Sequence, residues 1–177
     1  DVVGVSYRIC YDLFRRVSSA IRRSCNRPFA HRCLMTLKKS VSVFGVTGSI
    51  GTSTVDILKS HADKYSVDAV TAHRNVKALA SIAQDIGAKC AVIGDPAYYD
   101  QLCEALAGTD IEVGAGENAL IEAAERPSDI VIAAIVGAAG LKPTLAAIRR
   151  GARVGLANKE TLVCAGALMT AEVVKHN

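Results

Sequence analysis

The chain has 177 residues, of which 50% are hydrophobic and 21% are charged, a globular composition that excludes a disordered or low-complexity chain. The net charge of +4 is unevenly distributed: residues 1–40 carry nine basic and two acidic side chains, and residues 41–177 carry 12 basic and 15 acidic ones. The body of the chain is therefore slightly acidic, and we predict no nucleic-acid partner for it. The longest apolar run, residues 130–141, has 12 residues and is too short to cross a membrane, so no membrane partner is predicted.

The charge distribution predicts that residues 1–40 form a basic segment outside the folded domain. The folded domain is then expected to comprise residues 41–177. Ile9, Leu13 and Val17 share one face of a helix with 3.6 residues per turn, and arginines occupy the opposite face. An arginine-rich segment with almost no acidic residues is typical of an organelle transit peptide. The alternative is a non-native leader ahead of a true start at Met35, and the sequence leaves both open.

From residue 41 onward, short apolar runs alternate with segments of helical periodicity. The apolar runs are residues 41–46, 66–72, 89–94, 110–113, 129–136 and 152–157. Six strand–helix units in succession predict an α/β fold with a doubly wound parallel sheet, a Rossmann-like domain. Residues 129–136 hardly alternate, which predicts a central strand buried on both faces. Asn75 and Asp95 are predicted helix N-caps, and a last helix is predicted from Lys159 to Lys175.

The first predicted strand runs into a glycine-rich turn, Gly45–Gly51 (GVTGSIG), and a helix follows. Glycines at every third position permit a tight turn, and the amides at the helix N-terminus then suit a phosphate group. The turn therefore predicts nucleotide binding, and the alternative is a glycine turn needed for packing alone. A Walker A loop is excluded, because Thr52 and Ser53 follow Gly51 in place of the required Lys-Ser/Thr pair.

The second predicted strand ends in His73-Arg74-Asn75, without an acidic residue. In doubly wound dinucleotide sites, an acid at this position favours NAD, whereas a basic residue accommodates the 2′-phosphate of NADP. Arg74 therefore predicts NADP(H), and the alternative is a solvated loop arginine.

The sixth predicted strand is followed by Asn158, Lys159 and Glu160. Capping of the next helix explains Asn158 and Glu160. It does not explain Lys159, which opposes the helix dipole unless an anion lies nearby.

Three sequence motifs follow one another along the chain: GVTGSIG at residues 45–51, AAIVGAAGLKPTLAAI at residues 133–148 and LANKETL at residues 156–162. In these motifs the chain resembles the N-terminal domain of the 1-deoxy-D-xylulose 5-phosphate reductoisomerase family. The resemblance implies an NADPH-dependent oxidoreductase that converts the small molecule 1-deoxy-D-xylulose 5-phosphate to 2-C-methyl-D-erythritol 4-phosphate, in the non-mevalonate route to isoprenoid precursors. It implies a homodimer for the full-length enzyme. It also implies a bacterial cytoplasmic location, or a plastid-type organelle if residues 1–34 are a genuine transit peptide.

The resemblance also implies roles for individual residues. Lys159 would contact the substrate, and the residues that would bind NADPH are Thr47, Gly48, Ser49, Ile50, His73, Arg74, Asn75, Asn158 and Glu160. The family commonly has Gly-Lys-Asn where this chain has His73-Arg74-Asn75. Arginine keeps the positive charge of the lysine, whereas the histidine adds a ring beside the ribose.

The family's ligands for a divalent metal (Mg²⁺, Mn²⁺ or Co²⁺) lie in an Asp-Ser-Glu motif and in a later acidic residue, beyond Asn177. We therefore predict no catalytic residue and no metal ligand within this chain, which would hold the cofactor domain of a longer enzyme and be inactive alone. Two alternatives stay open at this point. One is the cofactor domain of another NADP-dependent reductase, related to aspartate-semialdehyde or homoserine dehydrogenases, and the other is a non-enzymatic nucleotide-sensing module.

Overall fold

The structure is a computed structural model that describes residues 38–176. The chain divides into two units, residues 1–36 and 37–177, and the described residues belong to the second. The basic N-terminal segment expected at residues 1–40 thus lies almost wholly outside the described residues and stays a prediction. The first strand begins at Lys39, two residues before the predicted run.

Residues 38–176 form a six-stranded sheet in which every neighbouring pair of strands is parallel. The strands are β1 (Lys39–Phe44), β2 (Tyr65–Ala72), β3 (Cys90–Ile93), β4 (Glu112–Ala115), β5 (Ile130–Ala133) and β6 (Arg153–Leu156). Their order in the sheet is β4-β3-β2-β1-β5-β6. The chain therefore winds outward from β1 to β4 and then returns to β1's other side, which confirms the predicted doubly wound fold.

The described part of the chain has six α-helices, of which five connect successive strands and the sixth follows β6. They are α1 (Ser49–Ser60), α2 (Val76–Asp85), α3 (Tyr99–Ala105), α4 (Gly116–Glu125), α5 (Leu141–Arg149) and α6 (Lys159–His176), and short 3₁₀ turns precede α3 (Pro96–Tyr98) and α5 (Ala138–Gly140). Helices α1, α2 and α3 pack on one face of the sheet through Val55, Leu79 and Leu102, which are buried in one core. Helices α4 and α5 contribute Leu120 and Ala147 to a second core on the other face.

Two predicted elements differ from the structure. Strand β5 ends at Ala133 and alternates between buried and half-buried residues, so the expectation of a strand 129–136 buried on both faces is wrong. The reason is that its neighbour β1 ends at Phe44, the partner of Ala133, and no ladder continues beyond it. The second difference is a kink in α6 at Ala165, where φ is −139°.

None of the described helices is both long and apolar enough to span a membrane.

Asp68, in the middle of β2, is buried and lies in an ion-pair network. Arg126 follows α4, and its Nε donates to Asp68 Oδ2 over 2.9 Å, while its Nη1 donates to Glu112 Oε2 over 2.6 Å. Lys89 Nζ lies 3.6 Å from Asp68 Oδ1. Hydrogen bonding to Glu112, and after it to Asp68, raises the pKa of Arg126 above its ordinary value. The network links β2 and β4 to the end of α4 and lies upstream of the strand ends at which ligands bind.

We expect Arg126→Gln to lower the free energy of unfolding by about 2 kcal/mol, because the buried Asp68 carboxylate would keep only the more distant Lys89 ammonium as a partner. Urea denaturation measures the effect. Lys142→Gln is the matched control, since it breaks an ion pair with Glu117 that is 2.9 Å long but exposed on both sides. The control should lose about 0.5 kcal/mol or less. Equal losses for the two variants would contradict the role given to Arg126.

Candidate nucleotide-binding site

The switch point of the sheet lies between β1 and β5, the two strands from which the chain proceeds in opposite directions. In open α/β sheets, ligands bind outside the carboxyl ends of the strands at such a point. Three predicted stretches lie at this edge: residues 45–50 follow β1, residues 73–75 follow β2, and residues 158–160 follow β6. The fold therefore brings every predicted site residue to one edge of the sheet.

Two of the three glycines in the turn after β1 are required by packing. Gly45 has a φ of +85°, and a Cβ there would lie 2.5 Å from the Ala134 carbonyl oxygen. A Cβ on Gly51 would lie 2.3 Å from the Gly45 carbonyl oxygen. Gly48 differs, because its nearest neighbour would be the Gly45 oxygen at 3.4 Å, an ordinary contact. The packing alternative thus explains Gly45 and Gly51, whereas the absence of a side chain at Gly48 leaves open space at the start of the helix.

The N-terminus of α1 is suited to an anion. Its N-cap residue, Gly48, supplies no side-chain hydrogen bond, and the first turn has no acidic residue. The backbone amides of Ser49 and Ile50 donate to no acceptor among residues 38–176. Unpaired amides at the positive end of a 12-residue helix attract a phosphate. Thr47 is half-buried in the same turn, while Gly48 and Ser49 are exposed.

At the end of β2, each of the three predicted residues has a different environment. Asn75 Oδ1 accepts from the Ala78 amide over 3.1 Å, so the predicted N-cap of α2 is confirmed. Arg74 is 64% exposed, and its Nε donates to Asp95 Oδ2 over 2.9 Å. His73 is exposed, and a Cβ on Gly94 would lie 3.0 Å from its Nδ1, so glycine at position 94 leaves room for the ring.

Asp95 lies beside the candidate site residue Arg74, although the sequence identifies it as a helix cap alone. That cap is present, since Asp95 Oδ1 accepts from the Ala97 amide over 3.1 Å. This hydrogen bond, and after it the ion pair with Arg74, holds the pKa of the Asp95 carboxyl below its ordinary value. The available signal was position: Asp95 follows β3, which neighbours β2, so it lies across from Arg74 at the same sheet edge.

Asn158 is buried and joins two loops at the switch point. Its Nδ2 donates to the carbonyl oxygens of Ile135 and Gly137, the second over 3.0 Å, and its Oδ1 accepts from the amides of Glu160 (2.8 Å) and Thr161 (3.3 Å). Two donors and two acceptor positions exhaust the hydrogen-bonding capacity of an asparagine side chain. The predicted capping role of Asn158 is thus confirmed, and its side chain also fixes the loop after β5.

Lys159 and Glu160 follow Asn158 directly, at the start of α6. Lys159 is exposed and Glu160 is half-buried, and neither side chain makes a hydrogen bond or ion pair with residues 38–176. The small residues of the preceding loop are also required, because a Cβ on Gly140 would lie 2.9 Å from the Ile135 oxygen and 3.1 Å from Asn158 Nδ2. The site thus combines an amide-rich helix terminus, an arginine and a lysine around a glycine-lined edge.

Fold and site together define an α/β domain of the Rossmann-like class, with a candidate nucleotide-binding site at its switch point. Residues 41–166 match the family model of 1-deoxy-D-xylulose 5-phosphate reductoisomerase, and the chain belongs to this family. Its relatives of that name include one from Rhodopseudomonas palustris (strain BisB18), 58% identical over 128 residues, and one from Zymomonas mobilis, 54% identical over 142 residues. These alignments cover 72% and 80% of this chain but 31% and 37% of the relatives. The chain thus spans about a third of their length.

Solved structures agree with this assignment. The 1-deoxy-D-xylulose 5-phosphate reductoisomerase of Zymomonas mobilis in complex with NADPH matches with a TM-score of 0.78 and 55% identity, over 78% of this chain and 37% of that one. A DOX-P reductoisomerase in complex with magnesium matches with a TM-score of 0.76 and 41% identity, over 78% of this chain and 35% of that one. The family match favours the reductoisomerases over the aspartate-semialdehyde and homoserine dehydrogenases that the sequence left open.

The described residues do not fit the divalent metal that the resemblance implies for the full-length enzyme. Within residues 38–176, no three His, Cys, Asp or Glu side chains group closely enough to hold a metal ion.

The double role of Asn158 leads to a testable contrast between two variants. Asn158→Asp keeps an oxygen that caps α6 but places a second carboxylate oxygen against the carbonyls of Ile135 and Gly137. We expect it to lower the free energy of unfolding by about 2 kcal/mol in urea denaturation, since two half-buried carbonyl groups lose their donor and face a carboxylate. Asn158→Ala should lose a similar amount. If capping were the whole role, the aspartate variant would be close to neutral.

Proposed function

We propose that this chain forms the NADPH-binding part of an enzyme that converts 1-deoxy-D-xylulose 5-phosphate to 2-C-methyl-D-erythritol 4-phosphate. The single observation that carries the proposal is the site at the switch point of a domain belonging to this family, with unpaired amides at one end and Arg74 at the other. The remaining length of the relatives would supply the metal ligands and catalytic residues, as the resemblance implies.

In this proposal the pyrophosphate of NADPH lies against the N-terminus of α1. The amides of Ser49 and Ile50 would donate to its oxygens, and the open space at Gly48 lets those oxygens approach the backbone. The hydroxyl groups of Thr47 and Ser49 lie in the same turn and can donate as well. Amide donors fixed by the fold need no reorganisation when the anion binds, which favours affinity.

The adenosine end of NADPH would lie at the end of β2. Arg74 Nε is occupied by Asp95, and the two terminal nitrogens of the guanidinium donate no hydrogen bond to residues 38–176. They are suited to a bidentate contact with the 2′-phosphate. Asn75 uses its Oδ1 to cap α2, so its amide nitrogen remains available to a phosphate oxygen. His73 would lie beside the ribose.

The nicotinamide end would lie near the loop after β5 and the start of α6. When bound, NADPH supplies the hydride that reduces the aldehyde formed by rearrangement of the substrate. The protein's contribution is to orient: Asn158 holds the loop carbonyls and the helix terminus in one arrangement. Lys159 places a cation where an anionic substrate would lie, which accounts for a lysine in the first turn of a helix. Glu160 would contact the cofactor.

The proposal extends to assembly and location. Helix α6 exposes Leu162, Val163 and Val174, and Val136 near its N-terminus is 81% exposed. Exposed apolar side chains in this number are typical of a surface covered by further protein. We assign this surface to contact with the rest of the longer enzyme. The homodimer implied by the resemblance, and a cytoplasmic location as in a bacterium, belong to the same proposal, which the bacterial origin of the relatives supports.

Cofactor preference tests the assignment of Arg74. We expect Arg74→Ala to weaken NADPH binding by about 1.5–3 kcal/mol, the contribution of a charged hydrogen bond, and to leave NADH binding nearly unchanged. Titration calorimetry with both cofactors measures this difference. Lys59→Ala is the matched control, because Lys59 also forms a 2.9 Å ion pair at the surface but lies in the last turn of α1. Equal losses for both cofactors would remove Arg74 from the 2′-phosphate.

Turnover tests the division of labour between this chain and the rest of the enzyme. The purified chain is mixed with NADPH, Mn²⁺ and 1-deoxy-D-xylulose 5-phosphate, and the absorbance of the reduced nicotinamide is followed. We expect no sustained oxidation, because residues 38–176 lack a metal site. A chain extended by the remaining two thirds of a relative should be active. Metal-dependent turnover by residues 1–177 alone would overturn this part of the proposal.

A further inference from the structure

Arg74 and Asp95 form a pair whose two members differ in how firmly the protein holds them. The Asp95 side chain is 22% exposed and that of Arg74 is 64% exposed. A long exposed side chain such as arginine samples many rotamers unless a partner restrains it. In the described part of the chain, the only hydrogen-bond partner of the Arg74 side chain is Asp95.

Asp95 itself is fixed at several points. Beyond the last ladder pair of β2 and β3, the Gly94 amide donates to the Ala72 oxygen over 2.8 Å and the Asp95 amide donates to the His73 oxygen over 3.0 Å. The loop carrying Asp95 therefore stays in register with the loop carrying Arg74. The Ala97 amide then binds Oδ1, which leaves Oδ2 directed to Arg74.

Which nitrogen of Arg74 is bound decides what the guanidinium can still do. Asp95 takes the Nε–H and leaves the two terminal nitrogens without a partner in residues 38–176. A contact through Nε fixes the plane of the guanidinium while its outer edge remains able to bind a phosphate with two parallel hydrogen bonds.

We propose that Asp95 is a positioning residue for cofactor specificity: it holds the Arg74 guanidinium in the orientation that binds the 2′-phosphate of NADPH. This inference rests on the proposed function and adds to it an acidic residue that promotes the binding of an anion. Simple Coulomb repulsion gives the opposite expectation, because removing a carboxylate near a phosphate should strengthen binding. Whether removing the Asp95 charge weakens or strengthens NADPH binding therefore distinguishes a positioning role from simple repulsion.

The experiment measures the dissociation constants of NADPH and NADH for the unmodified chain, Asp95→Asn, Arg74→Ala and the double variant. Asparagine keeps the oxygen that accepts from Ala97, so the 3₁₀ turn keeps its cap. We expect Asp95→Asn to weaken NADPH binding about fivefold to tenfold, through the lost restraint on Arg74, and to change NADH binding less than about twofold. In the Arg74→Ala background, Asp95→Asn should change NADPH binding less than about twofold.

Asp85→Asn is the matched control, since Asp85 also forms a 2.9 Å ion pair, with Lys59, and it lies at the end of α2. It should leave both dissociation constants unchanged. Unchanged or tighter NADPH binding by Asp95→Asn would overturn the inference, and so would equal weakening of both cofactors, the mark of a purely structural role. A preference for NADPH that is as large in Asp95→Asn as in the unmodified chain overturns this inference alone, whereas an unmodified chain without that preference overturns the proposed function.

Discussion

The site depends on how closely β1 and β5 approach each other where both strands end. Position 45 has no room for a side chain against the Ala134 carbonyl, and position 51 has none against the Gly45 carbonyl. Thr71 of β2 holds the same turn from the other side, accepting from the Gly45 and Val46 amides over 3.1 and 2.8 Å. These contacts fix where α1 begins. The direction of its unpaired amides, and with it the place proposed for a phosphate, follows from backbone packing alone.

The features that were predictable from the sequence are those that depend on local chemistry. Six apolar runs predicted the six strands, and Asn75, Asp95 and Asn158 were recognised as caps, because burial and capping leave a pattern in consecutive residues. The end of β5 was not predictable, since it is set by the end of β1, about 90 residues earlier in the chain. The kink at Ala165, by contrast, has a local signal, because Gly166 follows directly and a glycine weakens the interior of a helix.

Asn158, which follows the sixth strand, combines helix capping with a second role in shaping the candidate site. Capping uses its oxygen, and the same side chain uses its nitrogen to hold the loop after β5. These hydrogen bonds also order the backbone of both loops, on which the shape of the candidate site depends. Capping explains Glu160 but not Lys159. The side chains of both residues remain available to a ligand, because neither has a partner within residues 38–176.

The proposed adenosine end of the site differs from the proposed pyrophosphate end in the kind of donor it offers. At α1 the donors are backbone amides fixed by the fold, whereas at β2 the donor is a long side chain at the surface. The family commonly carries lysine here, as the resemblance implies, and a lysine ammonium is a point charge with no plane to orient. Arginine binds a phosphate with two parallel hydrogen bonds only when its plane is correctly turned. The gain from arginine at position 74 therefore depends on a second residue that fixes this plane, and Asp95 is placed to do so.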